Sequence, residues 1–218
     1  MMIRSGSEHL REHAGWRGRV FAFCMNWAGR KHESVLAERK RELFADLAGT
    51  VLEIGPGTGA NLAYFPRGIR WIGIEPNPFM HEYLRKRAGA LGIEVDIRRG
   101  MAEQIGTAPE SVDVVISTLV LCSVKDLDGV LREVYRVLKP GGRFIFLEHV
   151  GAPRGTWLRR IQQAVKPAWR AVSAGCEPDR DIPRALRVAG FERIDMDCFR
   201  VPAPVVSPHI AGVAIKKG

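Results

Sequence analysis

From residue 50 onward, short apolar runs alternate with amphipathic stretches. Residues 51–54, 70–74 and 93–97 have strand length and end at glycine or charge, and 111–118 is a β-rich run expected to be a central strand buried on both faces. Residues 143–147, 191–198 and 210–215 supply three more strands. Between them, 79–91 reads as a helix. Residues 126–139 carry Leu127, Val130, Leu131, Val134, Val137 and Leu138 on one helical face, and Lys139-Pro140-Gly141-Gly142 then stops the helix. Strand and helix in this alternation predict an α/β fold, a doubly wound, mostly parallel seven-stranded sheet covered on both sides. Ligands of such sheets sit at the carboxyl ends of the strands, where Gly55, Glu75, Met101, Thr118 and His149 fall.

Residues 1–48 form an N-terminal helical extension to the domain at 49–218. Within it, 16–28 sets Trp16, Val20, Phe21, Phe23, Met25 and Trp27 among Arg17 and Arg19, with Arg30 and Lys31 just after. That mixture suits a helix lying in a membrane interface, or a lid helix packed on the protein itself, although Gly15 and Gly18 weaken the helix. A separate surface helix is expected at 34–47, from Val35, Leu36, Leu43, Phe44 and Leu47 at helical spacing. Late in the chain, 151–187 holds eight Lys or Arg against three Asp or Glu, interleaved with Trp157, Ile161, Val165 and Trp169. Residues 154–170 therefore make a second candidate membrane contact, and Pro167 is expected to break or kink the helix there.

The chain has 218 residues, enough for one catalytic domain plus the extension, and its net charge of +9 draws it towards anionic surfaces. Nucleic acid is disfavoured as a partner because no RNA-binding module accompanies the basic residues. Cys24, Cys122, Cys176 and Cys198 lack any Cys-x-x-Cys or metal-type spacing, which points to a reducing, cytoplasmic setting and to no metal site. His9, His13, His32 and His81 also lack ligand spacing and read as surface residues. No secretory signal pattern and no run of membrane-spanning length is present.

The chemistry concentrates at Glu53-x-Gly55-x-Gly57-x-Gly59, a glycine loop directly after the first strand. Glycines let the main chain turn sharply and approach a ligand with its N–H groups exposed. A dinucleotide fingerprint has different spacing, and Glu53 beside a pyrophosphate would set two anions together. A ligand with adenosine at one end and an ammonium and sulfonium at the other welcomes that carboxylate, and S-adenosylmethionine is such a ligand. Glu75, at the end of the next strand, is placed to accept both ribose hydroxyls.

Together with Gly100-Met101-Ala102-Glu103 and Leu138-Lys139-Pro140-Gly141-Gly142, these motifs resemble the class I S-adenosylmethionine-dependent methyltransferases. The resemblance implies a Rossmann-like sheet with an antiparallel seventh strand. It also implies cofactor contacts from Glu53, Gly55, Pro56, Gly57, Gly59, Glu75, Pro76, Met80, Met101, Ala102, Glu103, Thr118 and Leu119. Met101 stands where many members carry Asp, which leaves the Ala102 backbone and the apolar Met80 and Met101 to hold the adenine. Longer strings, among them Thr118-Leu119-Val120-Leu121-Cys122-Ser123-Val124-Lys125, Glu148-His149-Val150, Gly175-Cys176 and Pro208-His209-Ile210, resemble the methyltransferase-like seven group of membrane-associated alkyl-thiol methyltransferases. That group has a longer apolar N-terminal segment than residues 16–28 offer.

The resemblance implies methyl transfer to a small apolar acceptor, an alkyl thiol. Rival acceptors are a quinone, phenol or lipid amine, and a cofactor-binding adaptor without activity is the non-enzymatic alternative. A thiol must lose its proton to become a nucleophile, a task suited to histidine. His149 and His209 are the candidate catalytic residues, and with Cys122 they border the expected acceptor pocket. Cys122 reads as a lining residue rather than a nucleophile, since direct transfer needs no covalent enzyme intermediate.

Overall fold

The computed structural model of the chain describes residues 15–218, except the side chains at 28–32. His9 and His13 lie outside the described residues, as does the His32 side chain. Two compact units emerge, Met1–Gly106 and Thr107–Gly218.

In the first unit, one helix, α1 (Trp16–Phe44), replaces the two separate segments expected there. Gly18 does not interrupt it. It is buried and its carbonyl accepts from Asn77 Nδ2 at 2.9 Å, which offsets the roughly 1 kcal/mol that a helical glycine costs relative to alanine. Ala22, Leu36, Lys40 and Phe44 are buried, and the Lys40 ammonium stays paired with Glu33 at 2.8 Å. Trp16, Val20, Phe23 and Trp27 lie on one helical face and are 74, 51, 63 and 79 % exposed, so they form an apolar stripe turned to solvent.

The strands β1 (Thr50–Ile54), β2 (Arg70–Ile74) and β3 (Asp96–Arg98) run parallel in the order β3-β2-β1. β3 is shorter and later than the run 93–97, because its ladder with β2 begins only at Ile72 opposite Asp96. Its Asp96–Arg98 ion pair puts charge on a short strand. After the glycine loop the chain makes a single 3-10 stretch, Ala60–Tyr64. Helix α2 (Pro78–Leu91) begins where the sequence signals it: Asn77 caps it by accepting from Phe79 N at 3.0 Å, and proline occupies the first turn.

The second unit contains β4 (Val112–Thr118), α3 (Leu127–Val137), β5 (Leu138–His149), α4 (Trp157–Val172), α5 (Ile182–Val188), β6 (Arg193–Arg200) and β7 (Pro208–Ile215). Here the order is β4-β5-β7-β6, with β4 and β5 parallel and β7 antiparallel to both neighbours. All seven strands belong to one mostly parallel sheet.

Two local expectations change in this unit. Lys139-Pro140-Gly141-Gly142 ends α3 but is absorbed into β5 as a bulge, the register jumping from Val112 opposite Leu138 to Val114 opposite Arg143. Pro167 does not end α4, which continues to Val172; the carbonyl four residues earlier, on Gln163, lies on an exposed face where water can bond it.

The basic segment is also less available than its count suggested. Lys166 pairs with Glu177 and Asp179 at 3.1 Å, and Arg170 and Arg180 pair with Glu177 at 3.3 and 3.2 Å.

Candidate active site

The first unit builds a glycine turn whose backbone faces open space. β1 runs into a turn in which Gly55, Gly57 and Gly59 have φ of 60°, 56° and 79°, a left-handed conformation that glycine adopts without strain. The turn is pinned by Gly55 N donating to Ile74 O and Gly59 N to Pro56 O, both at 2.9 Å. A methyl group added at Gly57 would meet nothing within 4 Å, so this side of the loop is open to a ligand.

Glu75 follows β2 and is buried. Its Oε2 accepts from Gly57 N at 3.0 Å and its Oε1 from Asn77 N at 2.8 Å, which locks the acid to the glycine turn. Burial raises its pKa to about 7 against the lowering effect of those two bonds. Met80 and Ala102 are buried nearby in sequence, whereas Pro76, Met101 and Glu103 are half-buried.

Glu53 lies deeper than its motif suggests, 2 % exposed, with Oε1 accepting from Asn61 Nδ2 at 2.8 Å and Oε2 from Trp71 Nε1 at 3.0 Å. The indole reaches it because Gly73 has no side chain; a methyl there would overlap the Trp71 ring. Burial lifts Glu53 to about 7 as well, opposed by its bonds to Asn61 and Trp71. His81, expected at the surface, is instead buried with Nε2 3.0 Å from Glu75 O, because its position on α2 faces inward beside that strand end.

The second unit gathers sulfur and imidazole. Thr118 ends β4, and Leu119 follows in a left-handed conformation, φ 58°, rare for a branched side chain. The turn is held by Glu148, a fully buried acid that the sequence reading left without a role. Its Oε1 accepts from Ser117 Oγ at 2.5 Å and Val120 N at 3.1 Å, and its Oε2 accepts from Leu121 N at 3.2 Å. Burial raises Glu148 to about 7 despite these donors.

That turn delivers Cys122. His149 at the end of β5 stands opposite His209 on β7, their rings 6.2 Å apart, and both are buried. His149 Nε2 lies 3.0 Å from Cys176 Sγ, and Trp169 Nε1 donates to the same sulfur at 3.3 Å. Thus Cys122, His149 and His209 occupy one region of this unit, joined by Cys176, which the sequence reading gave no role, and by Trp169, which it set in the basic segment offered as a membrane contact. The hydrogen bond from the Cys122 thiol lowers the Cys176 pKa, His149 and Trp169 add to the effect, and burial opposes it. Cys122 is raised by the same bond and by burial.

This fold, with its glycine turn, strand-end acid and sheet, is that of a class I S-adenosylmethionine-dependent methyltransferase. Residues 52–146 match the family described as Methyltransferase domain. Among solved structures, a SAM-dependent methyltransferase from Thermotoga maritima superposes with a TM-score of 0.67 at 23 % identity, covering 92 % of this chain and 100 % of that one. Geranyl diphosphate C-methyltransferase from Streptomyces coelicolor, in complex with S-adenosyl-L-homocysteine, gives 0.66 at 17 % identity over 83 % and 79 %.

Human thiol S-methyltransferase TMT1A is 41 % identical over 194 residues, 83 % of this chain and 80 % of the relative. Human TMT1B is 37 % identical over 211 residues, 90 % and 86 %. The chain belongs to the family of methyltransferases that these two enzymes represent, and its cofactor is S-adenosylmethionine.

Proposed function

We propose that the enzyme methylates the sulfur of a small apolar alkyl thiol. The observation that carries the acceptor class is the 41 % identity to TMT1A across 80 % of that thiol S-methyltransferase. The buried sulfur and imidazole groups of the second unit offer a soft, weakly hydrated setting that suits such an acceptor.

Bound S-adenosylmethionine supplies an electrophilic methyl carbon on a sulfonium, so the protein's task is chiefly positioning and exclusion of water. The glycine turn at Gly55, Gly57 and Gly59 with Pro56 receives the ligand's main-chain contacts. Glu75 and Pro76 take the ribose hydroxyls, and Glu53 lays negative charge beneath the cationic end. Met80, Met101, Ala102 and Glu103 hold the adenine, and the family resemblance adds cofactor contacts from Thr118 and Leu119.

At the acceptor, Cys122 lines the pocket and His149 and His209 border it. His149 governs loss of the thiol proton, since its Nδ1 is buried with no hydrogen-bond partner among the described residues. Labelled-methyl transfer to an alkyl thiol, run beside a quinol and an amino-lipid, tests this reading. The thiol should be the preferred acceptor, and His149→Asn should abolish most turnover. Preference for the quinol or amino-lipid, or an unchanged pH–rate profile in His149→Asn, defeats it.

A second reading concerns location. No helix among the described residues is long and apolar enough to cross a membrane. We take residues 1–48 as an attachment segment on the catalytic domain at 49–218, the exposed stripe Trp16, Val20, Phe23 and Trp27 seating in the interface of a cytoplasmic lipid leaflet.

A further inference from the structure

Cys122, His149 and Cys176 arrive from three different places: the turn after β4, the end of β5 and the segment after α4. All three are buried, and one donor atom from each lies within 4.8 Å of the others. Tetrahedral Zn2+, with Zn–S near 2.3 Å and Zn–N about 2.0 Å, sets its donors roughly 3.5–3.8 Å apart. The observed cluster reaches that geometry with movements on the order of 1 Å or less. Two thiolates and one neutral imidazole also balance the charge of Zn2+, which removes the penalty of burying an isolated ion.

The surroundings hold the donors in place. Trp169 Nε1 donates to Cys176 Sγ at 3.3 Å, and Glu177 N donates to Cys122 O at 2.8 Å, tying the two cysteine segments together. Outer donors of this kind orient metal ligands. The neighbouring acid, Glu148, accepts from Ser117, Val120 and Leu121 and is therefore occupied by the turn it supports. Three protein donors leave one tetrahedral position open, the pattern of a catalytic rather than a structural zinc site.

We propose that Cys122, His149 and Cys176 bind one Zn2+, and that the open position takes the sulfur of the acceptor thiol. This rests on the thiol reading above and gives it a chemical basis. As the Zn–S bond forms, the S–H bond breaks and the proton leaves to water, since coordination to zinc deprotonates a thiol outright. His149 then governs the proton as a ligand, through Nε2, rather than by accepting it. The methylated product has a neutral sulfur with no proton to lose, a weaker ligand that departs.

Metal analysis of the full-length protein, followed by Co2+ replacement, tests the site without reference to turnover. One Zn2+ per chain is expected, and Co2+ should give thiolate charge-transfer and intense tetrahedral d–d bands. Cys122→Ser and Cys176→Ser should lose these bands, and Trp169→Phe should weaken Zn2+ binding about 10-fold. Adding an alkyl thiol should shift the Co2+ spectrum as a further sulfur binds. Less than a stoichiometric ion after loading, a Cys122–Cys176 disulfide in protein kept under reductant, or a Co2+ spectrum blind to the thiol overturns the proposal. Full thiol methylation by metal-stripped enzyme overturns it too while leaving the thiol reading standing. A thiol-responsive Co2+ spectrum in an enzyme that methylates no thiol supports the site and removes the thiol-methyltransferase reading.

Discussion

Gly73 shows how much can depend on a missing side chain. Its bare Cα lets Trp71 fold across β2 and donate to Glu53. Gly73→Ala should displace the indole and leave a buried carboxylate oxygen short of a donor, at a cost of about 2–4 kcal/mol in chemical denaturation. On the ribose-binding role proposed for Glu75, Glu75→Gln keeps the volume but removes the charge that would strengthen its hydrogen bonds to that sugar. Calorimetry should show the dissociation constant for S-adenosylmethionine rising about 10- to 100-fold. Glu75 and the glycines were legible in the sequence because a turn and a strand end are local events. The partners of Glu53 were not, because Trp71 reaches it only across the β1–β2 ladder. Cys176 escaped for the same reason: its spacing from Cys122 and His149 means nothing until β4, β5 and the segment after α4 converge.

Among the elements, α1 departs furthest from the sequence reading. The pattern marked two helical stretches and counted Gly18 against the first, whereas the fold uses Gly18 as a contact with Asn77 and runs one helix through. Its periodicity was legible, and the aromatic side chains at Trp16, Phe23 and Trp27 fall on an exposed face, which a lipid surface can receive and a lid packed on the protein through them would have covered. The double substitution Trp16→Ser, Trp27→Ser should lower sedimentation with phosphatidylcholine–phosphatidylserine vesicles at least about tenfold and leave the circular dichroism unchanged. Unaltered vesicle binding would return the stripe to the status of an ordinary exposed face. The strands were read within two or three residues except β5, where a bulge rather than a terminator follows α3.

Across the chain, the balance of charge and burial makes stability depend on pH in a definite direction. Glu53 and Glu75 each rise from 4.5 to about 7 on burial. A folded pKa above the unfolded value means that the protonated form favours folding. Their contribution is therefore complete below about 4.5 and lost as pH climbs through about 7, at most about 3 kcal/mol for each. The cofactor-free protein should melt at a lower temperature at pH 8 than at pH 6 on their account. A cationic ligand favours the ionised acids, so S-adenosylmethionine should release protons on binding near pH 6.5, visible as a buffer-dependent enthalpy, and protect more strongly at the higher pH. A melting temperature that climbs steadily over this range, with no proton released, would show that both acids are already ionised.

Asn77 touches three things at once: its N–H meets Glu75, its carbonyl oxygen caps α2, and its amide nitrogen holds the Gly18 carbonyl of α1. Whatever steadies the acid therefore also steadies the peptide bonds beside Arg17 and Arg19. Trypsin should nick those bonds more slowly once S-adenosylmethionine or S-adenosylhomocysteine is present, and Asn77→Ala should erase the difference. The amino-terminal helix would then serve as a gauge of occupancy, readable on a gel.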